Sequence, residues 1–86
     1  MDYSPIERAG LTQQEFAALI NFSRPSTNLW INGRKRPGPK ATRVISSALQ
    51  ALNKAVAEKH LPAEPGARRE KLLRDINAWL QRLVQP

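Results

Sequence analysis

Residues 24–32 carry the side chains whose types and spacing could do specific chemistry. If this stretch is helical, a rotation of about 100° per residue places a group of its side chains on one arc: Arg24, Pro25, Asn28, Leu29 and Asn32. A guanidinium can form two hydrogen bonds with guanine, a carboxamide can pair with adenine, and an apolar side chain can contact the methyl group of thymine. We therefore expect this arc to contact base edges in the major groove of DNA.

The ends of this helix can be read from the sequence as well. Ser23 is a suitable N-cap, Pro25 is tolerated in the first turn, and Gly33 favours termination. The opposite arc consists of Ser26, Thr27, Trp30 and Ile31. An arc with a large aromatic side chain should face the protein interior. A helix over residues 24–32 is therefore predicted, with its polar arc exposed.

A second short helix is predicted just before this one. Thr12 and Glu15 have the spacing of a capping box, in which each side chain accepts a hydrogen bond from the other residue's backbone N–H. The helix should therefore begin at Gln13, and Asn21 tolerates the left-handed conformation that ends a helix. Two short helices joined by a tight turn form a helix-turn-helix, whose second helix enters the major groove.

Residues 11–37 resemble the helix-turn-helix of the phage repressor/Cro family (Xre type), and the pattern aligns without a gap. The matching positions are Leu11, Thr12, Gln13, Glu15, Ala17, Ser23, Arg24, Trp30, Asn32, Gly33 and Pro37. The resemblance implies a small all-α, lambda repressor-like domain of about five helices. It also implies a double-stranded DNA operator as the partner.

The resemblance also implies roles for individual residues. Gln13 is similar to a residue that binds a backbone phosphate and braces the side chain corresponding to Arg24, and Asn32 matches a phosphate-binding position. The positions that resemble the base-contacting ones of the family are Arg24, Pro25, Asn28 and Leu29. The chain departs from the family pattern at Thr27, where Val or Ile is usual, and at Asn21, which replaces the usual glycine.

Positive charge is concentrated on and after this motif. The chain has 14 Lys and Arg residues against 7 Asp and Glu residues, for a formal net charge of +7 at pH 7. No acidic residue lies between Glu15 and Glu58. Following the second helix, the connector carries Arg34, Lys35 and Arg36, and the next helix begins with Lys40 and Arg43. Such a charge distribution favours a polyanionic partner such as DNA. We expect these five side chains to bind its phosphates.

The remaining segments are also predicted to be helical. Ser4 and Pro5 are suited to cap and begin a short first helix that Gly10 ends, and an apolar arc indicates a long helix from Pro39 to about Glu58. Two prolines and a glycine interrupt the chain at residues 61–66. The predicted organisation is a DNA-binding domain over residues 1–60, this break, and a C-terminal amphipathic helix over residues 67–86.

The last helix has an apolar face that some surface must cover. Its members are Leu72, Leu73, Ile76, Trp79, Leu80, Leu83 and Val84. Packing on the chain's own domain and homodimerisation are two alternatives, of which dimerisation is slightly favoured. A repressor-type head reads few base pairs, so two heads about 34 Å apart normally read a palindromic site. A membrane-surface helix is the third alternative, disfavoured because the polar face mixes charges of both signs.

Composition excludes several other classes of protein. The chain has no cysteine and one histidine, so we expect no disulfide, no metal site, no cofactor and no catalytic activity. The longest apolar run, Phe16 to Ile20, is too short for a membrane span or a signal peptide, which predicts a cytoplasmic protein.

The sequence therefore predicts a dimeric, sequence-specific transcriptional repressor, bacterial or phage-encoded and associated with the nucleoid. Two alternatives remain open. In the first, the protein is an antitoxin whose DNA-binding head regulates its own gene while the last helix binds a toxin. In the second, it is a protein-interaction adaptor without DNA specificity.

Overall fold

A computed structural model describes residues 1–84 of the chain, and for Val84 it describes only the backbone. This part of the chain is all-α. Its five helices are α1 (Ser4–Arg8), α2 (Gln13–Ile20), α3 (Arg24–Ile31), α4 (Pro39–Ala57) and α5 (Ala67–Val84). The predicted fold class and the number of helices are confirmed. None of the helices in this range is long and apolar enough to cross a membrane.

The local signals at the ends of α2 and α3 act as predicted. Thr12 Oγ1 accepts from the backbone N–H of Glu15 at 3.1 Å, and Glu15 Oε1 accepts from that of Thr12 at 3.0 Å. Asn21 ends α2 in the left-handed conformation, with φ of 63°. Ser23 caps α3, which ends one residue earlier than predicted, so that Asn32 is its C-cap.

The start of α1 differs from the prediction. Ser4 is the first residue of the helix rather than its N-cap, and Tyr3 at the cap position makes no side-chain capping bond. Asp2 replaces the expected cap, because its carboxylate accepts from both the backbone N–H and the hydroxyl of Ser4, at 2.9 and 3.0 Å. A carboxylate is a stronger acceptor than a serine hydroxyl, which accounts for the shift of the helix start.

The apolar arc of α4 forms the centre of the core. Its buried residues are Ala41, Val44, Ile45, Ala48, Leu49, Leu52 and Ala55, as the helical periodicity predicts. Helices α1, α2 and α5 all pack against α4. Phe16 and Ile20 of α2 are fully buried in the same cluster. The pair α2 and α3 is thereby held on a rigid support, as a helix that must present a binding surface requires.

Helix α5 packs on its own domain, against α4 and α2. Leu80 is fully buried and Ile76 is 9% exposed, while Leu72 and Leu73 pack against the core partly buried. The residues expected to mediate dimerisation are Leu72, Leu73, Ile76, Trp79, Leu80 and Leu83, and of these Ile76 and Leu80 are therefore unavailable to a second chain. Trp79 and Leu83 remain 39% and 40% exposed. Helix α5 packs on its own domain because the core of so small a domain is thin and needs this helix to cover it.

Candidate nucleic-acid interface

The predicted arc of α3 faces outward. Arg24, Pro25, Leu29 and Asn32 are exposed, and Asn28 is half-buried. On the opposite side, Thr27 is only 1% exposed. The structure thus brings together on one surface the four side chains that resemble base-contacting residues, and Asn32 beside them.

Two interactions involve the inward side of α3. The buried hydroxyl of Thr27 donates to the backbone carbonyl of Ser23 at 2.8 Å, so its burial leaves no unpaired donor. The ring of Trp30 packs edge-to-face on Phe22, with 5.3 Å between the ring centroids and 74° between the planes. The inward prediction for Trp30 is confirmed, although the ring stays half-buried. Thr27, at a position where the phage repressor/Cro family usually has Val or Ile, is therefore buried with its hydroxyl paired.

Asn28 contains an unpaired polar atom. Its Oδ1 is buried and has no hydrogen-bond partner among the described residues. Leaving a buried acceptor unpaired costs about 1–3 kcal/mol, so this carboxamide gains free energy if it turns toward a partner. The base edge of an adenine would offer both a donor and an acceptor.

Gln13, the first residue of α2, lines a groove that also includes residues of α1 and α3. It is half-buried and shares a groove of about 500 Å³ with Tyr3 of the N-terminal segment and with Ile31. Ile31 is the last residue of α3, whereas Arg24 is the first. The groove therefore brings Gln13 and the C-terminal residue of α3 into one lining.

The basic connector is exposed and partly ordered by its backbone. Arg34, Lys35 and Arg36 all have exposed side chains. The backbone N–H groups of Arg34 and Lys35 both donate to the carbonyl of Leu29, at 2.9 and 3.3 Å. These bonds order the connector at the end of α3, where Lys35 and Arg36 line a groove that also includes Ile31.

The start of α4 adds two cations and a helix N-terminus to this surface. Lys40 and Arg43 are exposed in the first turns of α4. Its N-cap, Gly38, has no side chain to satisfy the first N–H groups, and no acidic residue lies in the first turn. Unpaired N–H groups at a helix N-terminus favour an anion. Six of the seven predicted phosphate-binding residues are thus exposed, and Gln13 is half-buried.

Two residues of α5 that the sequence did not single out hold α2 in place. Arg69 Nη1 is 2.7 Å from Glu15 Oε2, and Arg69 is 12% exposed. Asn77 Nδ2 donates to the carbonyl of Leu19 at 2.8 Å, near the end of α2. These bonds connect both ends of α2 to one face of α5, which runs beside it. No sequence signal identifies such partners, because the register of helices far apart in the chain depends on tertiary packing.

The Glu15 carboxylate makes the stability of this arrangement depend on pH. Its pKa is lowered first by the hydrogen bond from Arg69 and then by that from the Thr12 backbone. A carboxyl group with a lowered pKa in the folded state stabilises the fold above its unfolded pKa of about 4.3, and this contribution is lost as the pH falls through the folded value.

We therefore predict that Glu15→Gln reduces the loss of stability on acidification. The variant keeps a residue type suited to the capping box but has no charge to lose. Urea unfolding at pH 7 and at about pH 3 measures the difference in stability. Asp2→Asn is the control, because the pKa of Asp2 is also lowered, by hydrogen bonds from Ser4, but on a fully exposed group that no other helix contacts. An unchanged pH dependence in Glu15→Gln would contradict the prediction.

Comparison with known proteins found no matching family model, no matching curated protein and no matching solved structure.

Proposed function

We propose that this protein binds double-stranded DNA sequence-specifically and regulates transcription, with α3 in the major groove. The observation that carries the proposal is the outward arc of α3, which has base-reading side chain types and is followed in the chain by an exposed basic connector. Because no acidic residue lies between Glu15 and Glu58, no carboxylate of α3, the connector or α4 opposes a polyanion. The resemblance of residues 11–37 to the phage repressor/Cro helix-turn-helix supports the same assignment.

In this proposal the side chains of α3 read base edges. Arg24 binds a guanine through two hydrogen bonds, and Asn28 pairs with an adenine, which also satisfies its buried oxygen. Leu29 and Pro25 provide apolar contacts with thymine methyl groups. The exposure of Leu29, 39% on an otherwise polar arc, is consistent with this role.

Phosphate contacts fix the register of the protein without reading sequence. The residues proposed for them are Gln13, Asn32, Arg34, Lys35, Arg36, Lys40 and Arg43. Each cation that neutralises a phosphate releases a condensed counterion, which makes the affinity depend steeply on salt.

We also propose that the protein acts as a dimer, with contacts through the exposed part of α5. A groove of about 480 Å³ between α4 and α5 has an apolar floor that includes Leu72 and Trp79. Its rim carries Lys54 and the acidic residues Glu58 and Asp75, so the groove of one chain could pair its opposite charges with those of another. A dimer on a palindromic operator would repress by occluding a promoter in the cytoplasm of a bacterium.

Selection from a randomised duplex library at moderate salt, followed by sequencing, tests the proposal. We expect a palindrome whose half-sites are about ten base pairs apart. Recovery of a single half-site would contradict the dimer but not base reading. Recovery of no motif would reject sequence-specific binding, and the exposed Trp79 groove would then favour the antitoxin or adaptor function.

Arg36→Ala should weaken binding to all duplexes equally. Because Arg36 is proposed to bind only a phosphate, its loss should lower the slope of log affinity against log salt by about one without changing the preferred sequence. Fluorescence anisotropy with operator and scrambled duplexes over a salt series measures both. Lys71→Ala is the control: it removes one positive charge from an exposed residue of α5, a helix that packs on α2 and α4. A change in sequence preference would contradict the role of Arg36.

A further inference from the structure

We propose that Gln81, in α5, contacts a backbone phosphate of the bound duplex together with Lys40 and Asn21. The inference rests on the proposed DNA binding. It adds to that function a DNA contact from α5, a helix outside the helix-turn-helix. The sequence did not predict that the residues of this contact lie near one another.

The contact is placed at a small cleft of about 170 Å³. Here the turn after α2, the first turns of α4 and the C-terminal part of α5 meet. The lining residues are Ile20, Asn21, Phe22, Lys40, Val44 and Gln81. Ile20 and Val44 are buried, which makes the floor apolar. The polar part of the lining therefore consists of one ammonium group and two carboxamides.

The polar groups of this cleft suit an anion. An ammonium and two carboxamide NH₂ groups all donate hydrogen bonds, and no carboxylate belongs to the described lining. The two larger grooves that α5 helps to line differ in this respect. One contains Glu58 and Asp75 besides Lys54, and the other contains Glu15 and Glu70 besides two arginines, so in both of them carboxylates offset the cations.

The position of the cleft identifies the anion as a phosphodiester of the duplex. Asn21 and Phe22 belong to the turn that leads directly into α3, and Lys40 lies in the first turn of α4. In the proposed complex both helices begin at the DNA surface. The cleft is bordered by the turn before α3 and by the first turns of α4, so a strand bound at both helix starts would pass close to it. A free anion would meet a single charged group there, the exposed ammonium of Lys40, without the rest of the interface to position it.

An isosteric change of charge tests the contact. Gln81→Glu should weaken operator binding about tenfold or more, because it replaces a hydrogen-bond donor to the phosphate with a carboxylate of the same charge sign as the phosphate. A hydrogen bond to a charged group contributes about a factor of ten or more to affinity. Gln50→Glu is the matched control, with the same change in net charge at an exposed residue of α4 in the carboxylate-containing groove. It should change affinity less than about twofold. Circular dichroism melting checks that both variants fold.

A second measurement locates the contact on the DNA. In duplexes with a single neutral methylphosphonate, one phosphate position should weaken binding of the unchanged protein more than that of Gln81→Ala, which retains Lys40 and Asn21, whereas other positions should weaken both equally. This readout is independent of the glutamate variant and of any effect on folding. Inorganic phosphate at constant ionic strength should leave affinity unchanged.

Three results would overturn the inference. The first is an equal loss of operator affinity in Gln81→Glu and Gln50→Glu. The second is that each methylphosphonate weakens binding of Gln81→Ala as much as it weakens binding of the unchanged protein. The third is competition by inorganic phosphate that depends on Gln81, which would assign the cleft to a free anion. Failure of the unchanged protein to bind any duplex is a separate result. It would reject the proposed function itself, and the phosphate contact with it.

Discussion

Truncation of Leu80 to alanine should lower the free energy of unfolding by about 2–5 kcal/mol, the usual cost of a leucine deletion in a core. Leu80 is fully buried where α5 packs on the rest of the domain. The shortened side chain leaves a cavity that the surrounding helices cannot fill without losing their own contacts. Urea unfolding monitored by circular dichroism measures the change. Since small domains are stable by only about 5–15 kcal/mol, this is a large part of the total.

Leu83→Ala is the matched control for this prediction. Leu83 lies one turn further along α5 but is 40% exposed, so its truncation should change the stability of the single domain, apart from any loss of the proposed dimer contact, by no more than about 0.5 kcal/mol. If Leu80→Ala does not fold, Leu80→Met, which nearly preserves volume and typically costs less than about 1.5 kcal/mol, provides the measurable comparison. Equal small effects of Leu80→Ala and Leu83→Ala would mean that α5 does not stabilise the domain in solution.

Arg24→Ala has the largest expected effect on DNA binding. Loss of a two-bond contact with guanine should weaken operator binding by about 1–3 kcal/mol and relax the preference at one base position. The side chain is exposed at the first residue of α3, so its removal should leave stability nearly unchanged. Affinities for the selected operator and for duplexes altered at single positions measure the loss and its location.

Arg24→Lys separates hydrogen-bond geometry from charge. Lysine keeps the positive charge but cannot reproduce the planar fork of the guanidinium, so the variant should keep the salt dependence of binding and lose discrimination at the same position. An equal loss on all sequences in Arg24→Ala would contradict base reading and make Arg24 another phosphate contact. Comparison with Arg36→Ala on the same duplexes distinguishes these roles.

The sequence predicts the local structure of α2 and α3 closely because the relevant contacts join neighbouring residues. The capping box of Thr12 and Glu15, the left-handed Asn21 and the cap at Ser23 all depend on bonds or backbone preferences within a few positions. The exposed arc of α3 follows from periodicity in the same way. The exception at Ser4 has the same physical basis, because Asp2 competes for the cap from two residues upstream.

The apolar arc of α4 was also predictable, since seven small and branched residues recur with helical spacing. That periodicity indicates a buried face whatever covers it. It does not indicate which surface covers that face. The apolar face of α5 leaves the same question open. Both an intramolecular partner and a second chain satisfy the pattern, so composition and spacing could not decide between them.

The sequence by itself determined which segments are helical, where α2 and α3 begin and end, and which side of α3 is polar. Only the tertiary structure decided that α5 packs on α2 and α4, that Leu80 is buried while its neighbour Trp79 is exposed, and that Arg69 pairs with Glu15. It also brought Gln81 next to Lys40 and Asn21. The physical reason is that helix ends depend on interactions within one or two turns, whereas the register between distant helices depends on the sum of many weak packing contacts.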